Sequence, residues 1–324
     1  MTVVSLIEVT WRTLACTRRG VIDLDDLLAK TSRTFALAIP LLPEPTRRSV
    51  SIAYLLFRIA DTFEDATAWS RADRITALRE LAALLDGPNP SAQSVSLTQR
   101  WLATPPVTQA GYLELLSKTP AVLAEVEATP EPARRILLRH AVRTAEGMAA
   151  VVARGDERGN LRLGSVKDLK DYCYIVAGIV GELLTDVFLA DAPSLDAERA
   201  VLTRTMAAFG EGLQLVNILK DASDDARDGR VYLPAATSRA DVFALARADL
   251  DAAAEYVAAL QRGRAPRGFL GFTGLSLVLA RASLARLEQH GPGAKVSRDD
   301  VARLFGALQQ DLESGAQLDL RALA

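Results

Sequence analysis

The sequence predicts an all-α protein. Its 14 prolines are clustered, with none between Pro45 and Pro88, between Pro132 and Pro193, between Pro193 and Pro234, or between Pro234 and Pro266. Those stretches are rich in Ala, Leu, Arg and Glu, which form helices readily. Nowhere does the chain alternate apolar and polar residues convincingly, as a half-buried strand would.

Taken in order, residues 23–38 read as one helix, ended by the turn that Pro40, Pro43 and Pro45 impose. A long helix follows over 46–65. The segment 86–96 contains Gly87, Pro88 and Pro90 and reads as a surface loop, and Thr104-Pro105-Pro106 marks another. Further helices are expected over 132–153 and 166–189, separated by a Gly- and Arg-containing turn at 154–164. After Pro193 a helix should run through Asp225 and close at Asp228-Gly229. Pro234 opens a loop, and two more helices precede the break at Gly291-Pro292-Gly293. No repeat, low-complexity tract or linker divides the chain, so one domain over 1–324 is expected rather than two.

Composition narrows the function classes. There are 38 Lys+Arg against 40 Asp+Glu, a net charge of −2, without the basic excess of a nucleic-acid binder. The two cysteines, Cys16 and Cys173, cannot build a disulfide framework and fit a reducing cytoplasm. His140 and His290, the only histidines, have no partner at metal-ligand spacing, which argues against zinc chemistry and a His-based triad. Residues 1–20 lack a basic leader, and Glu8 interrupts their apolar run, so they do not read as a signal peptide. No segment approaches the roughly 20 apolar residues of a membrane span; the nearest, 268–280, stops at Arg281.

Two acidic clusters carry the chemistry. Asp61, Glu64 and Asp65 fall three and four residues apart, on one helix face, and Asp221, Asp224 and Asp225 repeat the spacing. Like charges so placed destabilise a helix and call for a counter-ion. Hard oxygen ligands without His or Cys suit Mg²⁺, with Mn²⁺ as the alternative. One such cluster alone is more often a solvated face, but the surroundings argue otherwise. Arg58 precedes the first cluster and Lys220 the second, as diphosphate ligands would. Gln214, Asn217 and Asp221 thread a polar stripe through an apolar helix, either a satisfied core network or the wall of a binding cavity.

Five blocks in order now resemble the squalene/phytoene synthase family: Ser32-Arg33-Thr34-Phe35, Asp61-Thr62-Phe63-Glu64-Asp65, the stretch from Tyr172 to Gly181, the stretch from Gln214 to Asp225, and Asp228-Gly229-Arg230-Val231-Tyr232-Leu233-Pro234. The likeness covers roughly residues 25 to 300, and Lys295-Val296-Ser297-Arg298 resembles the family's late basic segment. It implies a single isoprenoid-synthase helical bundle with a central cavity between the acidic motifs. It also implies Mg²⁺-dependent head-to-head joining of two farnesyl or geranylgeranyl diphosphates, through a cyclopropylcarbinyl diphosphate such as presqualene diphosphate, to squalene, dehydrosqualene or phytoene.

By the same resemblance, Asp61, Glu64, Asp65, Asp221, Asp224 and Asp225 would hold the metal, and Ser32, Thr34, Arg58, Gln214, Asn217, Lys220 and Arg281 would contact diphosphates or their metals. Phe35 would line the cavity. Tyr172 would steer proton loss or rearrangement, and Tyr232 would lie in the same region; the plain alternative for Tyr172 is a core tyrosine with a satisfied hydroxyl. Gly178 and Gly181 would let helices or substrate approach closely. Lys220 stands where the family usually has Arg, and a lysine lacks the bidentate fork. NADPH use stays open, because members that use it carry no Gly-rich fingerprint either. The expected setting is cytoplasmic, with peripheral membrane contact for release of an apolar product; no oligomeric state is legible. Two competing readings are a prenyltransferase with another acceptor and a non-catalytic assembly-factor relative, which would be expected to lose acidic ligands.

Overall fold

A computed structural model of the chain describes residues 22–32, 34–157, 159–315, 318 and 320. The reading of residues 1–20, Cys16 and the motif residue Arg33 lie outside the described residues. Five long helices make the body: Thr46–Glu64, Ala133–Ala153, Arg199–Arg227, Arg239–Arg262 and Arg267–His290. The first packs on the second and the third along the fourth. Shorter helices, among them Arg71–Asp86, Ala110–Ser117 and Thr119–Ala128, fill the outside.

Local sequence sets the starts. Ser70, Ser165, Ser238 and Ser297 each accept a bond from the backbone N–H three residues on, where Asp73, Asp168, Asp241 and Asp300 stand. This is N-capping with an acid placed against the helix dipole, and at Ser238 the capping box is complete. Apolar residues recurring every three or four positions, such as Ile52, Leu55, Leu56, Ile59 and Phe63, are fully buried and belong to one contiguous core cluster.

Several expectations are corrected. The segment 23–38 is two helices, Leu24–Thr31 and Phe35–Ala38. Ser32 breaks them: its backbone is extended (φ −139°, ψ 148°) and its Oγ accepts the Phe35 N–H at 2.9 Å. The loop expected at 86–96 is confined to its beginning, because Pro90 sits in the first turn of a helix, Pro90–Ala103. There its missing N–H costs nothing. The 166–189 helix is α-helical over Val166–Cys173 and Ile179–Asp191, with a π-helical segment Tyr174–Gly178 between. The turn at 154–164 contains a two-residue strand, Leu161–Arg162, paired parallel with Arg230–Val231. That ladder ties the loop after the second acidic cluster to the body. Finally, Val166–Asp191 and Arg267–His290 are long and apolar enough to cross a membrane by length and composition, although 56% and 67% of their most apolar windows are buried in the bundle.

Candidate active site

Both acidic clusters face one cavity of about 840 Å³. Asp61, Glu64 and Asp65 come from the last turn and C-cap of Thr46–Glu64. Opposite them, Gln214, Asn217, Asp221 and Asp225 line the cavity as one stripe of Arg199–Arg227. Ser32, Thr34 and Phe35 reach it from the break between the first two helices. Asp224 and Arg281 do not line it. Asp224 falls off the stripe and pairs with Arg227 in solvent, its side chain 71% exposed. Arg281, on Arg267–His290, is spent on Asp251 Oδ1 at 2.6 Å and the Leu250 carbonyl at 3.2 Å.

Arg230, which belongs to neither acidic cluster nor to the polar stripe, lies between the clusters. Its guanidinium is 3.0 Å from Asp65, 3.7 Å from Asp225 and 3.2 Å from Asp228. The adjacent Gly229 (φ +79°) and the short ladder fix it there, and a Cβ on Gly229 would sit 2.1 Å from Asn160 Oδ1. On the walls, Arg58 pairs with Asp61 at 3.2 Å, while Lys220 reaches Asn217 Oδ1 at 3.1 Å and Asp221 Oδ2 at 3.3 Å. Lys295, Lys30, Gln109 and Tyr112 also line the cavity without having been singled out as site residues. The only hint of them was the basic tail that contains Lys295.

The acids are under-compensated. Burial pushes the Asp61 carboxyl up to about 6, with Asp65 adding repulsion against the relief from Arg58. Glu64, 5% exposed, is pushed up to about 8 by burial and then by Asp65 and Asp61. Its carboxyl has no hydrogen bond or ion pair among the described residues. Burial also raises Asp225 to about 6 despite Arg230. Among the described residues no group of three or more acids forms a ready-made metal cage. The donors are instead carboxylates on two facing walls, the arrangement Mg²⁺ uses when it bridges protein acids to substrate phosphates. Hard oxygen donors lining the cavity, Glu64 among them with no ion pair among the described residues, fit such an ion.

Tyr172 and Tyr232 stack with ring centroids 4.5 Å apart at the cavity edge, and the Tyr172 hydroxyl donates to Tyr232 Oη at 3.1 Å. Burial, reinforced by Glu64, holds the Tyr172 hydroxyl well above the ordinary phenol range. The cavity adjoins a largely apolar recess of about 180 Å³, sharing Phe35, Arg58, Asp61, Val176, Gln214 and Asn217 with it. Phe57, Leu184, Phe209 and Phe272 wall the recess. The helices around it cross at glycines. A Cβ on Gly181 would meet the Met206 carbonyl oxygen at 1.9 Å, and one on Gly210 the Ala177 oxygen at 1.9 Å. Gly178 is packed against Tyr174 and Glu211, so both sequence-selected glycines mark close approaches.

A family model, squalene/phytoene synthase, matches residues 28–242. The chain belongs to the squalene/phytoene synthase family. A squalene synthase from Eremothecium gossypii is 29% identical over 212 residues, covering 64% of this chain and 44% of that protein. The match thus spans under half the length of that relative. Among solved structures, TcSQS in complex with a ligand superposes with a TM-score of 0.69 at 23% identity, covering 90% of this chain and 89% of that one. A ligand-bound dehydrosqualene synthase superposes at 0.57 with 21% identity, covering 90% and 95%. Both establish the squalene/phytoene synthase fold. In this chain the two acidic clusters stand on opposite walls of the cavity.

Proposed function

We propose that this chain is a divalent-metal-dependent prenyltransferase that joins two allylic diphosphates, farnesyl or geranylgeranyl, head to head and releases diphosphate. The observation that carries the reading is one cavity with two jobs. Its mouth is lined by carboxylates from two helices and by Arg58, Lys220, Arg230 and Lys295, and its depth is an apolar recess. A prenyl diphosphate has that polarity: a charged head and a hydrocarbon tail.

In this reading Asp61, Glu64 and Asp65 on one wall, and Asp221 and Asp225 on the other, hold Mg²⁺. When bound, the ion supplies electrostatic stabilisation of the departing diphosphate. Arg58, Lys220, Arg230 and Lys295 bind the phosphate oxygens, and Ser32, Thr34, Gln214 and Asn217 complete the polar lining. The recess offers apolar lining to a tail and helps keep water from the allylic cation. Phe35 offers its ring face to that cation. Because the Tyr172 proton is directed to Tyr232, the lone pairs of Tyr172 are free for a developing positive charge or a departing proton. The chain acts as a single domain, since one apolar cluster runs beneath both walls. The product, an apolar hydrocarbon, leaves by peripheral contact with a membrane.

The test is incubation of purified protein with farnesyl or geranylgeranyl diphosphate and Mg²⁺, with and without NADPH, followed by mass spectrometry of the organic extract. A C30 or C40 hydrocarbon, or presqualene diphosphate, lost on adding EDTA, is the expected result. Folded protein that consumes neither substrate would refute the reading.

A further inference from the structure

Arg58 is held on more than one side. Its guanidinium carbon lies 5.6 Å from the ring centroid of Tyr54 and 5.3 Å from that of Tyr112, so both rings are within cation–π range. Tyr54 precedes Arg58 by one turn of the same helix and is itself fixed by donating to the Thr31 carbonyl at 2.7 Å. It accepts only a long bond, 3.4 Å, from Arg58 Nε. Tyr112 comes from elsewhere, the short helix Ala110–Ser117, and lines the cavity beside Arg58.

That helix is pinned in place. A Cβ on Gly111 would lie 2.5 Å from the Lys30 carbonyl oxygen, so only glycine permits the approach. Lys30 Nζ bridges Glu114 at 2.9 Å and Asp26 at 2.6 Å. Tyr112 Oη makes no hydrogen bond among the described residues, so what it brings to Arg58 is its ring. The charged partner of Arg58 is Asp61 at 3.2 Å, the same acid that the proposed function assigns to the metal. A metal on that carboxylate would weaken the ion pair, and the two rings would then be what holds the guanidinium beside the cavity.

We infer that Tyr112 is a positioning residue for diphosphate binding: its ring closes a clamp with Tyr54 that keeps the Arg58 guanidinium directed at the phosphate oxygens when Asp61 is engaged by metal. This rests on the proposed function, since it presumes that Arg58 meets diphosphate and Asp61 meets metal. The same clamp would also discriminate for arginine over lysine at position 58, because a planar guanidinium stacks on rings and an ammonium does so less well.

The experiment is calorimetric titration of inorganic diphosphate, with saturating Mg²⁺, into the full-length protein. The proteins are the wild type, Tyr112→Leu, Tyr112→Phe, Arg58→Met and the Arg58→Met/Tyr112→Leu double variant. Tyr112→Leu should weaken binding about 3- to 30-fold, the range a partly desolvated cation–π contact supplies. Tyr112→Phe should stay within about twofold of wild type. In the Arg58→Met background, adding Tyr112→Leu should change nothing further, which a general packing role could not produce. Wild-type affinity in Tyr112→Leu, equal losses in the Leu and Phe variants, or an undiminished Leu effect without Arg58 would each overturn the clamp. In all three cases the site reading stands, provided Arg58→Met itself binds weakly. A wild-type protein that binds no diphosphate with Mg²⁺ would overturn the site reading and the clamp together.

Discussion

Tyr172 and Tyr232, 60 residues apart in sequence, meet as a stacked pair with a 3.1 Å hydrogen bond from the first hydroxyl to the second. The direction of that bond leaves the oxygen of Tyr172, a residue that lines the cavity, with no donor to it among the described residues. Replacing Tyr172 with Phe keeps the stack and removes the acceptor. Tyr172→Phe should therefore alter product distribution or lower turnover with KM nearly unchanged. Product analysis beside steady-state kinetics checks this, and unchanged products at an unchanged rate would remove Tyr172 from the chemistry.

Arg230 holds together acids that would otherwise repel across the cavity. Arg230→Met should lower the unfolding temperature measured in EDTA, by roughly 1–2 kcal/mol of stability, because Asp225 loses its counter-charge while the half-exposed Asp65 and Asp228 are screened by water. Mg²⁺ should restore a larger share of the unfolding temperature in the variant than in wild type. Equal responses of both proteins to Mg²⁺ would show that the ion does not bind between these walls.

Away from the cavity, Glu211 and Asp249 are buried acids on adjacent helices, and Asp249 Oδ2 has no hydrogen-bond partner among the described residues. Burial, then Asp249, raises the Glu211 carboxyl to about 6 from an ordinary 4.5. A raised acid contributes stability that is complete below about 4.5 and lost as pH climbs through about 6. Glu211→Gln should remove that loss, so its stability relative to wild type should improve between pH 4.5 and 7.5 by up to about 2 kcal/mol. Denaturant titrations at both pH values decide it; a difference between the two proteins that does not vary with pH would contradict the assignment.

The glycine crossing behind the recess admits no side chain. Gly210→Ala places a methyl 1.9 Å from a backbone oxygen, so two helices must separate. A loss of about 1–3 kcal/mol is expected, the usual range for overpacking. An unchanged unfolding temperature would mean that the helices do not approach as described.

How much of this was legible depended on whether a residue's position follows from its own helix. Asp61, Glu64 and Asp65 could be placed together because a helix of 3.6 residues per turn makes them neighbours. The stripe of Gln214, Asn217 and Asp221 extends to Asp225 by the same rule, but that rule admits Asp224 as well, and only the packed structure shows it paired with Arg227 in solvent. Arg281 was misplaced because its acid partner, Asp251, belongs to another helix, and which helices pack is a tertiary fact. Arg230 and Tyr112 reach the site through a two-residue ladder and a glycine contact, neither of which leaves a period in the sequence. The break at Ser32 was hidden inside apolar spacing that a continuous helix would also satisfy. The capping serine that causes it was visible, but so were serines that cap nothing.

The most direct measurement is release of diphosphate from farnesyl or geranylgeranyl diphosphate by wild-type protein, Asp61→Asn and Asp225→Asn, all with Mg²⁺ and all shown to be folded. If the two walls hold the metal ions that bring the diphosphate to ionise, the wild type releases diphosphate and each single substitution reduces the rate at least about 100-fold, a loss of about 2.7 kcal/mol or more of transition-state stabilisation. Near-normal release by either variant would contradict the assignment of a catalytic metal to both walls.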